Sequence, residues 1–144
     1  DGEAIKIAVA SNCVIIATAN LGAAFSGAGK VDLAITNRMH AHARVEYMAA
    51  GALAQLCNKV TGASVDDCKA IASVCSAVNA DLESSSSTMS SGLSTRAALA
   101  AASHAARGVD IEQAMRVALV DGFNNKDERE LVSALAVSAK DSTK

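Results

Sequence analysis

A chain of 144 residues without a single proline lacks the residue that most sharply interrupts helices and shapes turns. Strand-rich folds lean on Gly/Pro turns, so its absence weighs against them. The same chain carries 32 alanines, the residue with the highest helix propensity. Together these predict an all-α protein. Only three aromatics occur, Phe25, Tyr47 and Phe123, and there is no Trp. The core must then come from Ala, Val, Ile, Leu, Met and Cys, whose small members let helix backbones approach closely. The expectation is one compact bundle of five or six helices over residues 1–144, with an Ala-rich core and a buried first helix. The length suits a single domain.

Helix boundaries follow from caps and periodicity. A first helix is expected from about Glu3 to Phe25. No charge occurs between Ile7 and Gly29, a stretch long enough to raise a membrane span. Ser11, Asn12, Thr18 and Asn20 interrupt it and favour a central helix wrapped by the others, so a membrane partner is not expected. A second helix is expected from about Val31 to Val60, closed by Thr61-Gly62. Ser64 opens a third, with Asp67 at capping-box spacing. Its stripe of Cys68, Ile71, Val74, Cys75, Val78 and Leu82 is the cleanest amphipathic pattern in the chain. Residues 84–91 are serine-rich and read as a loop or flexible linker, or equally as a frayed helix end. A fourth helix, Ser94 to Arg107, stops at Gly108. Asp110 caps a fifth, with Gln113 at the capping-box position, ending near Gly122. A sixth runs from about Lys126 to Lys140, with acids first and Lys140 last, as the helix dipole prefers.

The four cysteines, Cys13, Cys57, Cys68 and Cys75, include no C-x-x-C pair, which removes the main support for zinc-ribbon and thioredoxin-like readings. Cys57 and Cys68 flank the Thr61–Ser64 turn symmetrically, so an antiparallel hairpin sets them at matched height. A Cys57–Cys68 disulfide is the expectation, leaving Cys13 with Cys75 as the second pair. The alternative is four buried thiols acting as small hydrophobes. Bridges together with an N-terminus that reads as processed, Asp1 rather than Met, point to an extracellular or secretory setting.

Motifs of chemistry fail on inspection. Ala24–Val31, AFSGAGKV, resembles a P-loop but has Ala24 for the first Gly and Val31 for the magnesium-binding hydroxyl. His40 and His42 are two apart on an expected helix and diverge; the i+4 partner of His40 is Arg44. His42 and Glu46 could pair, but no nucleophile stands beside them. Asp121–Glu130, DGFNNKDERE, is rich in oxygen ligands, yet Phe123 and Lys126 fall where a calcium loop needs an oxygen ligand and Gly. No catalytic, cofactor or metal residue is assigned. A net charge of −2 without a basic cluster excludes a nucleic-acid role.

The leading functional expectation is a non-enzymatic structural or interaction protein forming an extracellular, self-associating assembly through its helical surfaces. A second is a helical-bundle carrier of a small apolar ligand, walled by Met39, Met48, Met89 and Met115. A third is a site assembled from distant residues around His40, His104 or Cys75.

Overall fold

The computed structural model describes residues 10, 13, 14, 16, 18, 37, 38, 40–43 and 45–142. The chain divides into two compact units, Asp1–His42 and Ala43–Lys144. In the first, Ala10, Cys13, Val14, Ile16 and Thr18 are described; none is helical and all are exposed. The Cys13 N–H donates to the Ala10 carbonyl at 3.0 Å, a turn. Val14 is 81% and Ile16 84% exposed, so at these positions the expected buried first helix is not found. Val14, Ile16 and Thr18 are β-branched, which lowers helix propensity. The remainder of that expected helix, and the Ala24–Val31 segment, lie outside the described residues.

The second unit is an all-α bundle, and among the described residues there is no strand. Its helices are α1 (Ala50–Thr61), α2 (Val65–Glu83), α3 (Thr95–Ala106), α4 (Ile111–Met115) and α5 (Lys126–Asp141). A π-helical turn, Arg116–Val120, continues α4. The central element is α2, which packs against α1, α3 and α5. It buries Cys68, Ile71, Val74, Cys75 and Val78, the stripe visible in the sequence. α3 meets its neighbours through alanine: Ala98, Ala101 and Ala102 are fully buried. Spacings of three and four put these methyls on one helix face, where nothing larger separates the backbones. Met115, Leu119, Val120 and Phe123 close the core from the α4 side, and Val132 and Ala136 close it from α5.

Caps set the boundaries. The Ser64 hydroxyl accepts the Asp67 N–H at 3.0 Å and donates to the Asp67 carboxylate at 2.7 Å. Gly62 and Gly108 follow α1 and α3 at φ 75° and 86°, a left-handed conformation that a Cβ disfavours. Asp110 caps α4 by accepting the Glu112 N–H at 3.0 Å. The sequence-predicted second helix begins only at Ala50, without a side-chain cap, and residues 45–49 lack helix. They lay the Tyr47 ring over Gly92 instead.

The expected disulfides are not formed: Cys13, Cys57, Cys68 and Cys75 are all free thiols. The hairpin exists, but equal height does not orient two side chains toward each other. The Cys68 thiol is directed to the Ala63 carbonyl, 3.8 Å away. Cys57, Cys68 and Cys75 are buried and serve as small hydrophobes.

A fixed loop and the charged side chain that follows it

Burying a polar group without a partner is costly, so the rare cases report what the fold must hold in place. Among the described residues, the buried polar or charged side chains are Asn79 and Glu128. Both hold the same segment, the serine-rich loop between α2 and α3. Asn79 sits on the inner side of α2 and treats Leu93 as a strand neighbour would. Its Nδ2 donates to the Leu93 carbonyl at 3.0 Å, and its Oδ1 accepts the Leu93 N–H at 2.7 Å. Glu128, in the first turn of α5, accepts the Ser90 N–H across 38 residues of chain.

A third side chain, the Asp81 carboxylate, anchors the loop's beginning. Asp81 Oδ2 accepts the Thr88 N–H at 3.1 Å and the Thr88 hydroxyl at 3.3 Å, with Ser87 Oγ at 3.2 Å. Met89 and Leu93 pin the loop to the core. Gly92 is required by close approach: a Cβ there would stand 2.6 Å from Asn79 Oδ1 and 2.7 Å from Tyr47 Cζ. The serine run is thus neither a flexible linker nor a frayed helix end. Its small residues hug α2 while three side chains from elsewhere fix its backbone.

The loop delivers the chain to Ser94, whose hydroxyl caps α3 by accepting the Ala97 N–H at 3.2 Å. The first turn of α3 contains no acidic residue; it contains Arg96, which is exposed. A cation near a helix N-terminus works against the dipole, so Arg96 does not serve α3. It makes no ion pair among the described residues.

A second charged face surrounds the π-helical turn. Lys140 bridges Glu112 at 3.1 Å and Asp110 at 3.5 Å. The Glu112 N–H, helped by Lys140, holds the Asp110 carboxyl below its ordinary range, and the hydrogen bond to Glu112 raises the Lys140 ammonium. Arg116 and Asp121 line two open depressions there, of about 530 and 410 Å³.

The sequence-predicted site residues are scattered. His40 and His42 are exposed, and His104 is half-buried near the end of α3. No three His, Cys, Asp or Glu side chains gather as a metal site among the described residues. The Asp121–Glu130 segment is a capped turn: Asn125 caps α5, Phe123 is buried, and Arg129 donates to the Phe123 carbonyl at 3.1 Å. Burial pushes the Cys75 thiol up to about 12 and the Cys68 thiol to about 11, with Cys57 nearby adding to both, and raises Cys57 itself. Such thiols are poor nucleophiles. Met89 and Met115 are core filler, Met48 is exposed, and Met39 lies outside the described residues. The α1–α2 furrow of about 490 Å³ is open and lined by small residues such as Ala54, Ala72 and Ala77, with no methionine. No described helix is long and apolar enough to cross a membrane.

Compared with protein families, residues 39–142 match the description CbbQ/NirQ/NorQ C-terminal. The chain belongs to the CbbQ/NirQ/NorQ C-terminal family. Comparison with curated proteins and with solved structures gave no match. The matched span coincides with the helical unit that begins at Ala43. Membership overturns two expectations: the secreted, disulfide-stapled protein and its extracellular structural assembly. CbbQ/NirQ/NorQ proteins are intracellular AAA+ chaperone-like regulators, a setting in which free thiols are ordinary. The sequence missed Asn79, Glu128 and Arg96. One signal was present for Asn79, an amide on the apolar side of α2. One was present for Arg96, a cation in a first turn.

Proposed function

We propose that the helical unit is the C-terminal coupling module of an AAA+ chaperone-like regulator, acting by contact and holding Arg96 for an anionic group outside the unit. The observation that supports this most is the joint use of the buried polar side chains: Asn79 and Glu128 both fix the loop that leads into α3, whose first turn carries Arg96. A fold that places its buried polar groups around one loop gains position there, and position matters when a second body must meet the loop. In this reading the second body is the remainder of an ATP-driven machine, which accords with the match to a C-terminal family.

The test is Arg96→Ala and Arg96→Lys in the intact protein that carries this chain. Removing the cation from the first turn of α3 should leave the bundle as stable or stabilise it by about 0.3–1 kcal/mol. Losing a charge-assisted contact of about 1.5–3 kcal/mol should lower ATP hydrolysis or target activation by about tenfold or more. Arg96→Lys keeps charge but not the planar fork and should fall between. Wild-type activity in Arg96→Ala would refute the reading.

A further inference from the structure

Glu128 occupies the third position of α5, counted from its N-cap Asn125. A glutamate there ordinarily turns back to the N–H of its own cap residue. In this protein Asn125 caps through the Asp127 N–H at 2.9 Å, and Glu128 is directed away from the cap, into the interior, to the Ser90 N–H. It is 3% exposed. A carboxylate removed from water to hold a backbone amide of another element is not explained by the needs of α5.

The geometry from Ser90 onward shows what it reaches. Three residues later Leu93 is gripped on both backbone groups by Asn79. The next residue, Ser94, caps α3 through Ala97 and also accepts the Ala98 N–H on its carbonyl at 3.2 Å. Arg96 lies between these points. The chain from Ser90 to Arg96 thus has its ends and its middle fixed, so little slack remains to absorb a displacement. Glu128 ties this segment to α5, whereas Asn79 ties it to α2.

We infer that Glu128 is a positioning residue for Arg96, acting through Ser90 and the loop and linking movements of α5 to the start of α3. This rests on the reading of Arg96 given above. The experiment is a double-mutant cycle in the intact protein, with ATP hydrolysis as the readout. Glu128→Ala should lower the rate by about tenfold, and Glu128→Gln, which keeps an amide oxygen for Ser90, should restore most of it. Glu128→Ala in an Arg96→Ala background should have no further effect, because both changes remove the same contact.

Loss of activity in Arg96→Ala with none in Glu128→Ala would overturn the inference and leave the function of Arg96 standing. Additive losses would overturn it as well, by showing that Glu128 acts through general stability. No loss in either variant would remove the reading of Arg96 and the inference with it. Hydrogen exchange on the unsubstituted 144-residue chain gives a check that needs no variant. The amides of Ser90, Leu93 and Ala97 should exchange together, as one opening unit. Free exchange at Ser90 with Leu93 and Ala97 still protected would also overturn the inference.

Discussion

Asn79→Ala is the perturbation for which the structure gives the clearest magnitude. The substitution removes a donor at 3.0 Å and an acceptor at 2.7 Å from the two backbone groups of Leu93. Leu93 is 6% exposed, so both groups are left inside the protein without partners. Each unsatisfied group costs about 1–3 kcal/mol, and partial access of water beside the loop lowers the sum, so the expected loss is about 2–4 kcal/mol. That is a large share of the roughly 5–15 kcal/mol of a typical domain. Urea denaturation of the 144-residue chain, followed by helical circular dichroism, measures it directly. Asn79→Asp makes the reasoning sharper. The aspartate still accepts the Leu93 N–H, but its second oxygen then faces the Leu93 carbonyl. The repulsion and the burial raise its pKa in the folded state above the unfolded value of about 3.9. Between those two values the folded chain binds more protons, so stability falls as pH rises through the window. The variant should approach wild type below about pH 4, where the protonated acid can donate to Leu93, and be worst at neutral pH. A cost below about 0.5 kcal/mol for Asn79→Ala would refute the account of the loop, since surface substitutions already span that range. So would an Asn79→Asp deficit that does not change with pH.

Gly92→Ala should destabilise the chain by about 1–3 kcal/mol, because the new methyl meets Asn79 Oδ1, which Leu93 holds in place. Tyr47→Ala should relieve only part of that loss in thermal melts, since the ring can leave and the amide cannot. The buried thiols make stability depend on alkaline pH. They stay protonated in the fold well above the ordinary value of 9.0, toward about 11 for Cys68 and about 12 for Cys75. Their contribution is complete below 9.0 and is lost as pH rises through the folded values, and Cys75→Ala should flatten that decline. A chromogenic disulfide reagent should find all four thiols after denaturation, while Cys57, Cys68 and Cys75 stay unreactive in the native chain. Fewer than four thiols in the denatured, unreduced chain would restore the disulfide expectation.

Most of the bundle was legible because its signals are local. Ser64 with Asp67, Gly62, Ser94, Gly108 and Asp110 each fix a boundary through residues a few positions away. The α2 stripe was legible for the same reason, since 3.6-residue periodicity is a property of one helix. The start of α1 was not legible, because the apolar pattern continues upstream while Tyr47 is drawn onto Gly92 from across the fold. The anchors of the loop were hidden by distance: Asn79 meets Leu93 14 residues away and Glu128 meets Ser90 38 away. Local rules also pointed the wrong way. A serine run reads as slack chain, and a glutamate in a first turn reads as a cap. The Cys57–Cys68 bridge failed at the last step, because spacing sets height along a hairpin and not the rotation of each side chain.

The turn at Arg116–Val120 has a consequence for how lineages of this chain can lengthen or shorten. A π turn holds one residue more than an α turn spanning the same hydrogen-bonded loop, and each residue advances the helix by about 100°. Deleting one residue from Arg116–Val120 would therefore rewind it into ordinary α-helix and leave everything beyond it close to its present phase, because the wider turn already absorbs the extra residue. Met115 before the turn and Phe123 beyond it would both still meet the core. Relatives that keep this core are therefore expected to tolerate a one-residue gap at that point, with no compensating insertion before Asn125.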